Sequence, residues 1–361
     1  MVAISLFQQP ARIQDTNCRL KAELRTLHLW SYVIKASNLK SLEGALKSAL
    51  PEFIAPQLAT LVKAAPSGDD WLHELKFDGY RMLCRIDHGK VRFYSRNRID
   101  WTARFPGLAQ AMKSLPAKTA MLDGEVVVMD SRGHTSFQKL QQAMGKGGQG
   151  VFIYEIFDLL YLDGFNLTKS PLIERKRLLK GLIDSSGRSG PLRYSDHVEG
   201  NGAEVFKQAC KKGLEGIVSK LATSPYDSTR NRNWLKVKCS KQQEFVIAGY
   251  TPSKKGVPGI GSLILGVYEK GKLVYTGRVG TGFSLKKRVE LQKKLDEMAM
   301  KESPFATKPK APGLSAAHWA TPKLVAEVTF TEWTSDGAIR HPSFQGLRED
   351  KKPTEVHREL P

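Results

Sequence analysis

The spacing of apolar and polar positions along the chain changes several times, and each change marks an element. Between residues 71 and 77 charged and apolar positions alternate, Glu74 and Lys76 against Leu75 and Phe77, with Asp78 next in line. That two-residue period is the signature of a half-buried strand. Similar alternation, or a short apolar run, predicts strands over 81–86, 91–95, 120–129, 152–160, 216–220 and 234–238. Apolar residues three and four apart predict helices over 105–112, 137–144, 173–182 and 202–212. The first fifty residues carry a weaker helical spacing, for example Leu42, Ala45, Leu46 and Ala49.

After Lys241 the texture shifts to short β runs over 245–250, 262–268, 273–279 and 324–333, separated by glycines, with a single helix over 285–300. Residues 303–314 are rich in Pro and Lys and read as a loop. The chain therefore divides into an extension of unassigned role (1–50), an α+β domain (51–240) and a small all-β domain (241–361). Few strands, frequent glycine turns and one helix suit a barrel of the oligonucleotide-binding (OB) type.

Composition narrows the partners. Fifty-six Lys and Arg against 36 Asp and Glu give a net charge of +20 over 361 residues, an excess that costs self-repulsion and points to a polyanion. The basic residues are spread along the chain and not gathered on one amphipathic helix, so nucleic acid is favoured over a membrane surface. Cys18, Cys84, Cys210 and Cys239 stand far apart without any C-x-x-C pair and read as separate reduced thiols, neither zinc ligands nor a disulfide framework. The amino terminus lacks a signal peptide and no run reaches a membrane span, so a cytoplasmic location is expected.

The chemistry gathers at Lys76-Phe77-Asp78-Gly79-Tyr80-Arg81. A continuous strand would bury Leu75 and Phe77 and turn Glu74, Lys76 and Asp78 into one cleft, with Gly79 providing the turn. Lys236 and Lys238 flank Val237 and would present two ammonium groups on one strand face. Such a pair binds phosphate and would lower the pKa of a third amine such as Lys76, freeing it as a nucleophile. Glu125 and Glu215 each sit beside a glycine at the mouth of an apolar strand, where a carboxylate can take a divalent cation or a ribose hydroxyl. Phe157 is by default a core aromatic, and alternatively a platform for a nucleobase. Each signal alone has an ordinary counterpart, a solvated sheet face, a lysine-protected edge or a turn.

Their order is more specific than any one of them: KFDGYR, YSRNR, LDGE, EIFD, LEGIVSK, WLKVK, then Arg340 and GLREDK at 346–351. The series resembles the collinear motifs of the covalent nucleotidyltransferases, specifically ATP-dependent DNA ligases, from about residue 51 to the end. Residues 249–283 are similar to the bacterial end-joining ligases of the ligase D type and their stand-alone relatives.

The resemblance implies a nucleotidyltransferase (adenylation) domain followed by an OB-fold domain, with ATP and Mg2+ or Mn2+ as cofactors. Lys76 would be the adenylated nucleophile, Asp78 would position later steps, and Glu74 would lie near the adenine. Arg81 and Arg96 would contact the nucleotide or the nick 5′-phosphate, Glu125 the ribose, and Phe157 the base. Glu215 would hold metal, with Glu125 as a second candidate ligand, and Lys236 and Lys238 the α-phosphate. Arg340, Arg348, Asp350 and Lys351 would swing over the site to orient the ATP pyrophosphate. The implied partners are nicked double-stranded DNA and a bacterial Ku-type end-binding protein, for a nucleoid-associated monomer without a membrane.

The match has departures. The sequence carries no counterpart of the polymerase and phosphoesterase domains of multifunctional ligase D, of a large DNA-binding domain in its first fifty residues, or of the four-cysteine zinc module of NAD-dependent ligases. An RNA ligase or a capping-type nucleotidyltransferase shares the lysine motif and is the alternative reading. A DNA-binding module without catalysis is the other class.

Overall fold

The computed structural model describes residues 39–130, 133–145, 148, 150–185, 190–253 and 257–359. Residues 1–38, which hold Cys18 and most of the amino-terminal extension, lie outside them. The chain divides into two compact units, the first ending at Cys239 and the second running from Ser240 to Pro361.

In chain order the first unit contains β1 (Leu46–Lys47), β2 (Leu58–Leu61), β3 (Trp71–Leu75), β4 (Tyr80–Asp87), β5 (Lys90–Ser95), α1 (Pro106–Met112), β6 (Thr119–Val128), α2 (Phe137–Met144), β7 (Phe152–Leu162), β8 (Phe165–Asn166), α3 (Leu172–Asp184), β9 (Leu192–Tyr194), β10 (His197–Glu199), α4 (Gly202–Lys211), β11 (Gly216–Leu221) and β12 (Arg230–Lys238). The strands form two sheets. The larger has the order β1-β8-β7-β6-β4-β5, with β9 added alongside β7, and the smaller the order β10-β3-β11-β12-β2.

The period-2 pattern decides what each sheet face buries. On one face of the larger sheet Tyr80, Met82, Cys84, Leu122, Val126 and Ile156 meet the apolar stripes of α1, α2 and α3 in the main core. Leu83, Met121, Phe157 and Leu160 point the other way and pack with Tyr226 and with Trp234 of the smaller sheet. The outer side of the smaller sheet is closed by Val205 and Ala209 of α4 against Ile217 and Val237. The polar residues of interest therefore stand among two packed sheets, where a side chain is desolvated and must be paired.

The second unit contains β13 (Lys241–Pro252), β14 (Ile260–Glu269), β15 (Lys272–Val279), α5 (Leu285–Asp296), β16 (Ala299–Met300), β17 (His318–Phe330), β18 (Glu332–Trp333), β19 (Ile339–Arg340) and β20 (Ser343–Leu347). Its main sheet is antiparallel in the order β15-β14-β13-β17-β16, with β20 on β17. Ser284 caps α5, its Oγ accepting the Lys287 N–H, and Leu291 and Leu295 anchor the helix on the core.

Three expectations from the sequence are corrected. Residues 42–49 do not form a helix: Leu42 and Ala45 reach the main core, Leu46 stays exposed, and Leu46–Lys47 pairs with β8. The helix of the second unit ends at Asp296, and Ala299–Met300 joins β17 as a strand. Cys210 and Cys239 are not separate thiols but a disulfide, with Cα atoms 5.3 Å apart. The partners are 29 residues apart in sequence. Antiparallel pairing of β11 with β12 returns the end of β12 to the loop that follows α4, where the Cys239 N–H donates to the Glu215 carbonyl.

Candidate active site

Lys76 stands just beyond the end of β3. Its backbone N–H donates to the Gly216 carbonyl at 2.9 Å, which continues the pairing of β3 with β11 and brings the lysine side chain beside the entry to β11. There its Nζ meets Glu215 Oε1 at 2.6 Å, with 23% of the Lys76 side chain and 7% of the Glu215 side chain exposed. Gly216 is required at this junction. Its φ of +151° is left-handed, and an added Cβ would collide with the Val237 carbonyl of β12.

The electrostatics of Lys76 differ from the sequence-based expectation. Burial by itself pulls the amine's pKa down, but the Glu215 carboxylate, helped by Glu125 and Asp78, outweighs it, and the pKa rises above the ordinary lysine value. Lys236 and Lys238 are expected from the sequence to lower it, and the net shift is upward. The second oxygen of that carboxylate, Glu215 Oε2, is buried without any hydrogen-bond partner. A hard cation would satisfy it. Among the described residues no group of three or more His, Cys, Asp and Glu is assembled into a ready cation site.

β3 ends at Leu75, and Glu74 and Asp78 each take partners of their own, while Asp78 stays within electrostatic reach of Lys76. Phe77 is half-buried and Leu75 packs beside α4. Asp78 Oδ2 accepts the Phe137 N–H at the start of α2, and its own N–H donates to Thr135 Oγ1. Gly79 serves close approach, not a left-handed turn: a Cβ there would strike the Val126 carbonyl.

Glu74 points inward and is 2% exposed. Its Oε1 accepts from Lys176 Nζ at 2.8 Å, and its Oε2 from Lys220 Nζ and Ser195 Oγ, both at 2.9 Å. Burial raises the Glu74 pKa, but the two lysines more than reverse this and keep it below the ordinary value. Desolvation lowers the Lys220 pKa to about 8, against the pull of Glu74. The Lys220 ammonium also stands 4.2 Å from the ring centre of Phe157 and 4.3 Å from that of Trp234.

Arg81 is committed to the scaffold. It donates from Nε and Nη2 to the two oxygens of Asp123 at 3.0 and 2.6 Å, from Nη1 to the Gln57 carbonyl, and from Nη2 to Tyr226 Oη. Four hydrogen bonds engage four of its five N–H donors. Glu125 lies on β6 in register with Arg81 on one side and Glu155 on the other. Lys236 and Lys238 lie on β12 opposite Val218 and Gly216, so Lys238 faces the same glycine that positions Glu215. Arg96 is half-buried in the turn after β5.

The remaining expected residues belong to the second unit. Arg340, on β19, is exposed and pairs with Glu332 at 2.6 Å. Arg348 follows β20 and donates to both oxygens of Asp350 and to Glu327, while Lys351 pairs with Glu244 at 2.6 Å.

Sequence reasoning missed Asp123, Lys176, Ser195, Lys220 and Tyr226. Asp123 and Lys220 lay inside the quoted LDGE and LEGIVSK segments. Lys176 sits in Glu174-Arg175-Lys176-Arg177, which reads as a solvated helix face although Arg175 and Lys176 are fully buried.

Both units match known proteins. Residues 36–238 match the model of the ATP dependent DNA ligase domain, and residues 257–351 that of the ATP dependent DNA ligase C terminal region. The chain is 41% identical over 318 residues to the multifunctional non-homologous end joining protein LigD of Pseudomonas aeruginosa, covering 87% of this chain and 38% of that protein. It is 38% identical over 309 residues to the LigD DNA repair protein of Mycobacterium tuberculosis, covering 85% of this chain and 40% of that protein. The chain thus spans about two fifths of these relatives. Among solved structures, a mycobacterial DNA ligase D complexed with ATP and MES superposes with a TM-score of 0.64 at 38% identity, over 84% of this chain and 98% of that one. A nucleotidyltransferase unit carrying Lys76 on Glu215, followed by an OB-fold unit and matched by both family models, places this chain in the family of ATP-dependent DNA ligases.

Proposed function

We propose that this chain seals 3′-hydroxyl/5′-phosphate nicks in double-stranded DNA, at the expense of ATP, through a covalent lysyl-AMP intermediate. The observation that carries this reading is the Lys76–Glu215 pair at the entry to β11, with Lys236 and Lys238 on the adjoining strand. Lys76 Nζ, once relieved of its proton, attacks the α-phosphorus of ATP; a P–N bond forms and the bond to pyrophosphate breaks. An oxygen of the nick 5′-phosphate then displaces the lysine, restoring the amine and forming a diphosphate link to AMP. Finally the 3′-hydroxyl attacks the 5′-phosphorus and AMP leaves.

Each transfer spreads charge over equatorial phosphoryl oxygens, and in this reading Lys236 and Lys238 supply the cations that meet it. Glu215, through its unpartnered oxygen, and Glu125 would hold Mg2+ or Mn2+, which when bound neutralises phosphate charge. Glu125 also serves the ribose, Arg81 and Arg96 a phosphate, and Asp78 the later steps. Phe157 carries the adenine near Glu74, and a base on that ring moves the Lys220 ammonium from the ring centre to the base edge. Arg340, Arg348 and Lys351 act on the pyrophosphate in the first step. The expected setting is cytoplasmic and nucleoid-associated, in repair or end joining, as a monomer aided by a Ku-type end-binding protein.

Incubation with labelled ATP and Mg2+ should place AMP on Lys76. Both Lys76→Ala and Lys76→Arg should lose the label, since an arginine stays protonated. Label retained in either variant overturns the assignment. Sealing of nicks built from RNA strands in preference to DNA strands would move the reading to an RNA ligase.

A further inference from the structure

Lys176 has no place in the reading so far, although it is among the largest fully buried side chains in the molecule. All three of its N–H donors are engaged: Glu74 Oε1 at 2.8 Å, the Ser195 carbonyl at 2.9 Å, and the face of Tyr194, whose ring centre lies 4.6 Å away. Lys220 differs. It makes one hydrogen bond, to Glu74 Oε2, and its remaining donors face the rings of Phe157 and Trp234. One lysine has all its donors engaged, and the other has donors that meet only ring faces.

The carboxylate between them can be counted. An ionised carboxylate offers about four acceptor positions. Three are filled: one on Oε1 by Lys176, and two on Oε2 by Lys220 and Ser195. The open position is on Oε1, the oxygen that Lys176 alone holds. Lys220 ties the other oxygen, Oε2, to the Phe157 ring, the proposed base platform.

We propose that Lys176 is a positioning residue for nucleotide selection: it fixes Glu74 so that the free acceptor of Oε1 receives the exocyclic amine of adenine when Lys220 turns to the base edge. This rests on the ligase reading above. Adenine presents an amine donor at C6 and an acceptor at N1, the complement of a carboxylate beside an ammonium. Guanine presents the opposite pair and would set its O6 against the carboxylate. Without Lys176, Glu74 is held only through Oε2 and can rotate its open acceptor away.

The test measures single-turnover self-adenylation with ATP and with purine riboside triphosphate, which lacks the 6-amino group. The wild type should favour ATP by about tenfold or more in kcat/KM, the loss expected when a buried acceptor is left unpaired. Lys176→Met should cut that preference to about twofold, mainly by raising KM for ATP. Lys176→Gln, which keeps hydrogen-bond donors without the charge, should fall between, and it is read in the same way if Lys176→Met does not fold. A lowered melting temperature with the preference intact in the folded variants would overturn the proposal and leave Lys176 a structural residue. Equal use of both nucleotides by the wild type would overturn it while leaving the ligase reading standing. Failure of the wild type to label Lys76 at all would overturn both.

Discussion

At the scale of single residues, the site is a set of charges whose states are fixed by neighbours. Glu155 gives the clearest pH signature. It is 5% exposed on β7, and desolvation pushes its pKa up to about 7 against the pull of Arg193 at 3.8 Å. The folded carboxyl therefore holds its proton more tightly than the unfolded chain, whose ordinary value is 4.5. Its contribution to stability is complete below 4.5 and is lost as pH rises through about 7. Glu155→Gln should accordingly match the wild type near pH 4 and exceed it by up to about 3 kcal/mol at pH 8, from a shift of about 1.4 kcal/mol per pKa unit. Denaturant melts at the two pH values check this; a difference that does not change with pH would mean that Arg193 keeps the carboxylate ionised throughout. Lys76, Glu215 and Phe157 could be singled out from the sequence because each lies in a short motif with distinctive neighbours. The protonation of Lys76 could not, since it depends on Glu215, 139 positions away in sequence, touching the amine at 2.6 Å.

At the scale of elements, period and turn residues foretold most strands and helices of both units, because each buries one face and its apolar positions must recur on that face. What stayed illegible were pieces held by partners and not by their own pattern. The two-residue strand β1 exists through β8, and the three-residue strands β9 and β10 through β7 and β3. The Cys210–Cys239 link is of the same kind, since neither cysteine's surroundings in sequence announce the other. It fastens the end of α4 to the chain just past Lys238, beside two proposed phosphate ligands. Closing a loop of that length restricts the unfolded chain by about 3 to 4 kcal/mol on the loop-entropy estimate. Cys239→Ser should lose stability of that order under non-reducing conditions, and reductant should lower the melting temperature of the wild type but not of the variant. A wild type indifferent to reductant would show that the two sulfurs are thiols in solution.

At the scale of the whole molecule, the residues proposed for function are divided between two units and the charge is spread over both. The sequence reading has the last motif, in the second unit, serve only the first chemical step. Arg348 is an ambiguous probe of that idea, because its guanidinium is buried against Asp350 and Glu327 and its removal leaves those carboxylates unpaired. Lys351 is cleaner, with a single ion pair to Glu244. Lys351→Ala should reduce self-adenylation by tenfold or more, about 1.4 kcal/mol or more, while sealing of a pre-adenylated nick stays within about threefold. Equal loss of both activities would make Lys351 a folding or DNA contact of the second unit. The net charge of +20 leads to a further expectation. Binding dominated by phosphate contacts releases counterions, so nick affinity should fall linearly on a log-log plot between about 50 and 200 mM salt, with little dependence on sequence. A flat response would show that the basic surface is not the surface that meets DNA. If the chain works in end joining, a Ku-type protein that holds two termini together should raise joining of breaks through effective concentration, without changing the rate at a preformed nick. Joining assays over a range of Ku ratios separate the two settings: stimulation at breaks alone supports end joining, and no gain at any ratio restricts the enzyme to nicks.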